Sequence, residues 1–315
     1  MDEQVESELN KILVYAPRTL LGISYAFPFL INLRRAFPKA EINIITHPKF
    51  KNLFQLVPGE KFRCHDYDEL QYSGMMQIHK YSVNLLDVFN IDLYFSLESN
   101  FTGAFMGFTF QAKERFGLKK QMSDLFYTHK LEISPDTNEW NKFLKLLKLK
   151  TAQELENEKF KMAELPPLVK NFEENPYIVI SFEDEDLEQV RAGEWSDLIS
   201  LMDDQRILFL CNPEKKEQLD FFIESLPDTN TYESYAHLDD IIQVGQVMAF
   251  ARGVIGQNSG VMHFAGLLGT KMCIIDSKLN SSTAPMYTHG EFLHLSPTSK
   301  LENLVDQIYR FLDLC

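Results

Sequence analysis

Short apolar runs recur along this chain, and stripes at helical spacing fall between them. Residues 11–16 (KILVYA), 41–46 (EINIIT) and 91–97 (IDLYFSL) have strand length, and the last sets Ile91, Leu93, Phe95 and Leu97 against polar or small partners. Between the first two, the pattern predicts a helix over 24–37. Phe29, Leu30, Leu33 and Phe37 form its core face, Pro28 sits near its first turn and Pro38 ends it. Strand, helix and strand with a short return make a parallel βαβ unit. A short helix is expected over 52–57, and the mixed segment 72–89 turns helical from Tyr81. Residues 139–150 (EWNKFLKLLKLK) carry the stripe Trp140, Phe143, Leu144 and Leu147, flanked by lysines. Such a helix could lie on an anionic membrane; packing one face on its own domain is the commoner use.

The segment 151–175 is charged and rich in proline, and it places a domain boundary that gives 1–168 and 169–315. A second series follows, with strands at 177–182, 206–211, 253–256 and 271–276. Helices are expected near 195–202, 215–225, 238–250, 261–268 and 301–312, the last with a capping box of Ser299 and Glu302. The fold class is therefore α/β, with two Rossmann-like domains facing a central cleft. Clefts at domain interfaces are the usual place for a small-molecule site.

One stretch, 253–279, concentrates candidate chemistry. Gly256-Gln257-Asn258-Ser259-Gly260 forms a turn after a buried strand, and Asn258 or Ser259 can cap a helix that Gly269 ends. Such a turn aims free N–H groups out of the carboxyl edge of a sheet, where ligands bind and anions are favoured. His263 lies one turn into the helix. It can reach the same ligand or serve as a core histidine.

Composition narrows the partners. The 315 residues carry a net charge of −14, which argues against a general nucleic-acid binder. The N-terminus, MDEQVESELN, is acidic and polar, unlike a signal peptide. No apolar run approaches the ~20 residues needed to span a bilayer. Cys64, Cys211, Cys273 and Cys315 form no CxxC pair, so a sequence-local zinc site is not expected. A reducing cytoplasm fits.

The run 258–270 (NSGVMHFAGLLGT) resembles the D-S-G-x-x-H-x-A-x-x-L-G-x block of the family 9 glycosyltransferases, the ADP-heptose:lipopolysaccharide heptosyltransferases. The N-terminal strand, loop and proline-bearing helix, IDLYFSL, KERFGL (113–118) and the lead-in 238–256 follow in matching order. The resemblance implies a GT-B fold and an inverting, metal-independent sugar transfer in the cytoplasm or at the inner membrane face. The nucleotide-diphosphate sugar would be a substrate rather than a cofactor. It would meet Asn258, Ser259, Gly260 and His263, and the glycan or glycolipid acceptor would meet the loop Leu21, Gly22 and Ile23.

Four positions depart from the family pattern. The N-terminal loop lacks the family's base aspartate, leaving Ser24 and Tyr25 there. His65 and Asp66, with Asp68 and Glu98, are alternative catalytic candidates on that side. Asn258 replaces an aspartate. The first loop of the second domain, small in the family, is Glu183-Asp184-Glu185-Asp186 here, and Gly193-Glu194 stands before Trp195 where the family has a basic phosphate ligand; Arg191 is the nearest cation. These acids would repel a pyrophosphate unless they turn outward or bridge to it through a metal as a D-x-D motif. The stretch 277–290 matches only loosely. Two functions stay open: an active glycosyltransferase of altered chemistry, or a catalytically degenerate relative that binds a ligand or partner. A two-domain UDP-sugar epimerase is a third, which the 258–270 block does not favour.

Overall fold

The computed structural model describes residues 11–59, 61–72, 74–85, 90–134, 137–151, 155, 159–276, 279 and 283–314. The chain divides into two compact units, Met1–Glu158 and Lys159–Cys315. The division falls ten residues ahead of the boundary expected after residue 168. The intervening strand-like segment belongs to the second unit: Phe160 N–H donates to the Tyr287 carbonyl at 2.9 Å, and Met162 N–H to that of Leu267 at 2.7 Å.

In the first unit, β1 (Lys11–Tyr15) leads into α1 (Leu20–Ala36), β2 (Glu41–Thr46), a 3-10 helix (Pro48–Leu56) and β3 (Arg63–Asp66). Then come α2 (Met75–Asn84), β4 (Leu93–Ser96), α3 (Phe101–Thr109), β5 (Glu114–Leu118), β6 (His129–Leu131) and α4 (Glu139–Lys148). The sheet is parallel in the order β3-β2-β1-β4-β5-β6. This is the doubly wound order, with its switch point between β1 and β4.

In the second unit the strands are β7 (Ile178–Ser181), β8 (Arg206–Leu210), β9 (Thr231–Ser234), β10 (Val254–Gly256), β11 (Met272–Ile275) and β12 (Phe292–Leu295). Between them run α5 (Gln189–Ser200), α6 (Lys216–Glu224), α7 (Ile241–Met248) and α8 (Gly260–Leu268), and α9 (Leu301–Leu312) follows. The parallel order β12-β11-β10-β7-β8-β9 repeats the first topology, and its switch point lies between β7 and β10.

The central strands of both sheets are buried on both faces. Ile12, Leu13, Phe95, Phe116, Ile180, Phe209 and Ile255 are all inaccessible. Strands covered by helices on both sides read as continuous apolar runs.

Helix α1 begins four residues earlier than expected. The Thr19 hydroxyl accepts from Gly22 N–H at 3.1 Å and caps it. Leu21, Gly22 and Ile23 are thus the first turn of a helix and not a loop. Pro28 falls more than two turns in, where it denies the Ser24 carbonyl its helical donor. On α4, Phe143, Leu144, Leu146 and Leu147 are buried, and the helix packs on α1 inside its own unit. The Ser299–Glu302 capping box does not form; Lys300 is the N-cap residue of α9 and makes no side-chain bond there. Among the described residues no helix is long and apolar enough to cross a membrane.

Candidate functional site

The second unit builds its candidate site at the carboxyl ends of β7 and β10, on the switch point. The strands approach so closely there that a Cβ on Gly256 would meet the Ser181 carbonyl at 2.8 Å, which accounts for a glycine at the strand end. Ser259 is the N-cap residue of α8: its hydroxyl accepts from Met262 N–H at 3.5 Å, and its carbonyl accepts from His263 N–H at 3.1 Å. The first-turn N–H groups of Gly260 and Val261 have no intrahelical acceptor and lie where the helix dipole favours an anion. Gly269 closes α8 with φ of 90°, the left-handed conformation a glycine adopts freely.

His263 has the surroundings of the core histidine that the sequence left as an alternative. The ring is fully buried, with Nδ1 2.8 Å from the Tyr287 hydroxyl and Nε2 2.9 Å from Asn258 Oδ1. Burial lowers its pKa to about 3, opposed by a weaker backbone hydrogen bond at Thr283. A neutral imidazole held between two side chains fixes the turn in place. Asn258 meets the ring and holds the start of α8 to it.

The acidic loop resolves into two kinds of group. Asp184 and Glu185 are exposed and turn outward, as a nearby pyrophosphate would require. Asp186 turns inward and is 1% exposed. It accepts from Glu183 N–H at 2.8 Å, from Trp195 Nε1–H at 3.0 Å and from the Gln257 amide. One buried carboxylate therefore ties the loop after β7 to α5 and to the turn after β10. Asp186 is not free to share a metal with Asp184. Among the described residues no group of three His, Cys, Asp or Glu side chains could hold a metal ion. Arg191, the nearest cation, lies 3.5 Å from Glu185 and 3.7 Å from Asp186. Burial raises the pKa of Glu183, which the Ser259 hydroxyl counters by hydrogen bonding to it. The sequence pattern did not mark Glu183 and Asp186 as groups that shape the turn, because a run of four acids looks like a solvated loop.

In the first unit, Ser24 and Tyr25 cannot serve as bases. Both point into the core, at 0% and 6% exposure. Burial, then the neighbouring Glu139, push the Tyr25 phenol well above its ordinary range. His65 and Asp66 lie on the edge strand β3. The His65 Nε2 is 2.8 Å from Asn43 Oδ1, and burial lowers its pKa, with Arg63 and Lys51 adding to the effect. Asp66 pairs with Lys51 at 3.2 Å.

A cluster at the carboxyl ends of β1 to β4 joins Glu98, one of the sequence candidates, to Arg18, Tyr15 and Glu69, whose pairing the sequence did not indicate. Arg18 N–H donates to Glu98 at 2.9 Å across the switch point, the Arg18 guanidinium pairs with Glu69, and the Tyr15 hydroxyl donates to Glu69 at 2.9 Å. Glu69 and Arg18 are 51 residues apart in sequence. The sequence signal for Glu69 was the density of charge over 64–69 (CHDYDE), which reads as a polar loop until β3 is recognised as a strand.

Two parallel doubly wound sheets, one in each unit, are the architecture of the GT-B glycosyltransferase fold. The model of glycosyltransferase family 9 (heptosyltransferase) matches residues 86–286. The chain belongs to that family. A family 9 glycosyl transferase from Veillonella parvula superposes with a TM-score of 0.79 at 13% identity, covering 98% of this chain and 99% of that one. The E. coli ADP-heptose lipopolysaccharide heptosyltransferase II gives 0.75 at 13% identity, with 96% and 99% covered. An E. coli heptosyltransferase solved with ADP gives 0.73 at 14% identity, with the same coverage. At these identities the likeness shows the fold. No protein among the curated sequences matches the chain.

Proposed function

We propose that this chain transfers a sugar from a nucleoside-diphosphate donor to a glycan or glycolipid acceptor of the lipopolysaccharide type, working at the inner face of the membrane. The observation that carries this reading is the Ser259-capped helix α8, which opens at the β7/β10 switch point inside the family 9 match. The diphosphate would take the N–H groups of Gly260 and Val261, with Ser259 beside it. His263 and Asn258 hold the turn in shape. No metal enters this scheme, because helix N–H groups supply the positive potential.

A second reading rests on a specific observation: no carboxylate stands in the first turn of α1, and Ser24 and Tyr25 are sealed in the core. A relative without transfer would still bind a nucleotide. The two are separated by measuring nucleoside-diphosphate release from ADP-, GDP- and UDP-sugars, with and without a lipopolysaccharide-core acceptor. Acceptor-dependent release supports transfer. Nucleotide binding with no release from any donor supports the binding protein, and neither binding nor release removes both readings.

A further inference from the structure

Helix α3 has an outer face unlike that of a surface helix. Its nine residues, FTGAFMGFT, carry no charge. One side is core: Ala104 and Met106 are inaccessible, and a Cβ on Gly107 would run into the Tyr94 ring. The opposite side of such a helix is ordinarily polar. Here it sets out Phe101, Phe105 and Phe108 at i, i+4 and i+7. Phe126, the last residue of the 3-10 helix Gln121–Phe126, packs on all three, with ring centroids at 5.5, 5.4 and 5.7 Å. Phe108 stays 52% exposed and Leu125, next to Phe126, 83%. Helix α2 continues the apolar surface. Its Ser82 Oγ lies 2.7 Å from Thr109 Oγ1 of α3, the next residue, Val83, is exposed, and so are Met75 and Met76 in its first turn.

The rings are held in place from below. The Arg115 guanidinium donates to the Phe126 carbonyl at 2.6 Å and to the Ala112 carbonyl at 2.7 Å, which latches the 3-10 helix to the turn after α3. Lys119 and Lys120, both exposed, lead into that helix, and Lys130 is exposed after it. Asp124, the acid between them, accepts from Lys120 N–H at 2.9 Å. Lys119 pairs with Glu132 at 3.0 Å, an exposed pair of the kind that contributes little and exchanges readily. Residues 101–130 carry five Lys and Arg side chains against two acids, in a chain whose net charge is −14. Charges are screened over ~8 Å at physiological ionic strength, so this face presents its local positive set and not the chain's total.

We propose that the face formed by Phe101, Phe108 and Leu125, with Lys119 and Lys120 at its rim, docks on a membrane that contains anionic lipid. The rings and Leu125 enter the boundary between headgroups and acyl chains, and the lysines meet lipid phosphates. Lysine is depleted in interfaces between proteins, so an aromatic patch rimmed by lysine suits a lipid surface better than a protein partner. The inference rests on the transfer reading for its setting at the inner membrane face, and it names the surface that meets the lipid.

The test is cosedimentation of the full chain with vesicles of phosphatidylglycerol and phosphatidylethanolamine, against vesicles of phosphatidylcholine alone. Binding to the anionic vesicles should be tighter and should weaken with salt. Leu125→Glu should weaken it about 10-fold or more, and Lys119→Gln and Lys120→Gln about fivefold each. Phe221→Glu, at a 75% exposed position on α6 of the second unit, should leave it unchanged. Indole emission of Leu125→Trp should shift to the blue when anionic vesicles are added, and that of Phe221→Trp should not. Both positions are exposed, and unchanged thermal unfolding of the variants shows that the fold is kept. Equal binding to the two kinds of vesicle overturns the inference, as does binding indifferent to Leu125→Glu or no binding to either. Self-association that Leu125→Glu abolishes, without vesicle binding, also overturns it and assigns the face to a second copy of the chain. Nucleotide stabilisation, read on the same samples, tells the two failures apart. If it persists while vesicles are not bound, only the surface assignment falls.

Discussion

Nε2 of His263 lies 2.9 Å from Oδ1 of Asn258, and this contact joins α8 to the turn that opens it. Both groups are neutral, and the ring is inaccessible to solvent. Where other family members are expected to carry an aspartate, this chain has an uncharged pair. Replacing Asn258 by Asp would set a carboxylate against the ring and favour the imidazolium. Asn258→Asp should raise the His263 pKa by roughly 1–3 units. Imidazole NMR titration checks this, and an unmoved titration would show that the contact is not maintained in solution.

The same histidine predicts an acid-sensitive fold. Its pKa is about 3 folded against an unfolded value of 6.5. Above pH 6.5 both states are neutral, and the group contributes nothing to the pH dependence. As pH falls below 6.5 the unfolded state takes up a proton that the folded state refuses, so stability declines. The decline approaches ~1.4 kcal/mol per pH unit from this one group until the folded pKa is reached. Urea unfolding at pH 7 and pH 5 should show it, and His263→Gln should be less stable at pH 7 yet lose this part of the slope.

Asp186 should matter for stability and not for metal binding. Asp186→Ala strands the Trp195 indole N–H, the Gln257 amide and the Glu183 N–H in a buried place. The expected loss is about 3–5 kcal/mol. Asp184→Asn and Glu185→Gln, on exposed positions, should stay within ~0.5 kcal/mol. Chemical denaturation of the three variants checks the contrast. A loss at Asp184 as large as that at Asp186 would reinstate a shared role for the D-x-D residues.

Gly117 in β5 is a packing requirement. A Cβ there would lie 2.1 Å from the Tyr127 ring, and that ring is itself buried. Gly117→Ala should destabilise by about 1–3 kcal/mol. Because the clash is with a side chain, the companion change Tyr127→Ala should make Gly117→Ala nearly neutral in a double-mutant cycle.

The sequence made the interior legible and the rims obscure. The strands read from their apolar runs, including 11–16, 177–182 and 206–211, are central in their sheets. Of the strands passed over, β3, β6, β9 and β12 are the four sheet edges, and only β5 lies inside a sheet, next to an edge. An edge strand pairs on one side only and keeps polar residues such as Arg63, His129 and Glu233, so its pattern resembles a loop. The α8 turn was readable because Ser259 and Gly269 act locally, through a cap and a left-handed residue. The Glu69–Arg18–Tyr15 cluster was not, because it forms only when β3 is laid beside β2. The partners of His263 were not legible for a related reason. Its partner Tyr287 is 24 residues away, and no local pattern announces the contact. The start of α1 was misplaced because Pro28 suggested a first turn, while Thr19 supplied the cap.

On the proposed function, the Ser259–Gly260 turn binds a nucleoside diphosphate. That binding is tested most directly by the unfolding free energy of the chain with and without ADP, GDP and UDP. A nucleotide held at 100 times its dissociation constant should add about 2.7 kcal/mol. Gly260→Pro would remove one donor N–H at the first helical position while suiting the helix, and it should reduce that gain. If no nucleotide at millimolar concentration shifts the transition, or if the gain is the same in Gly260→Pro, the turn is not the donor site.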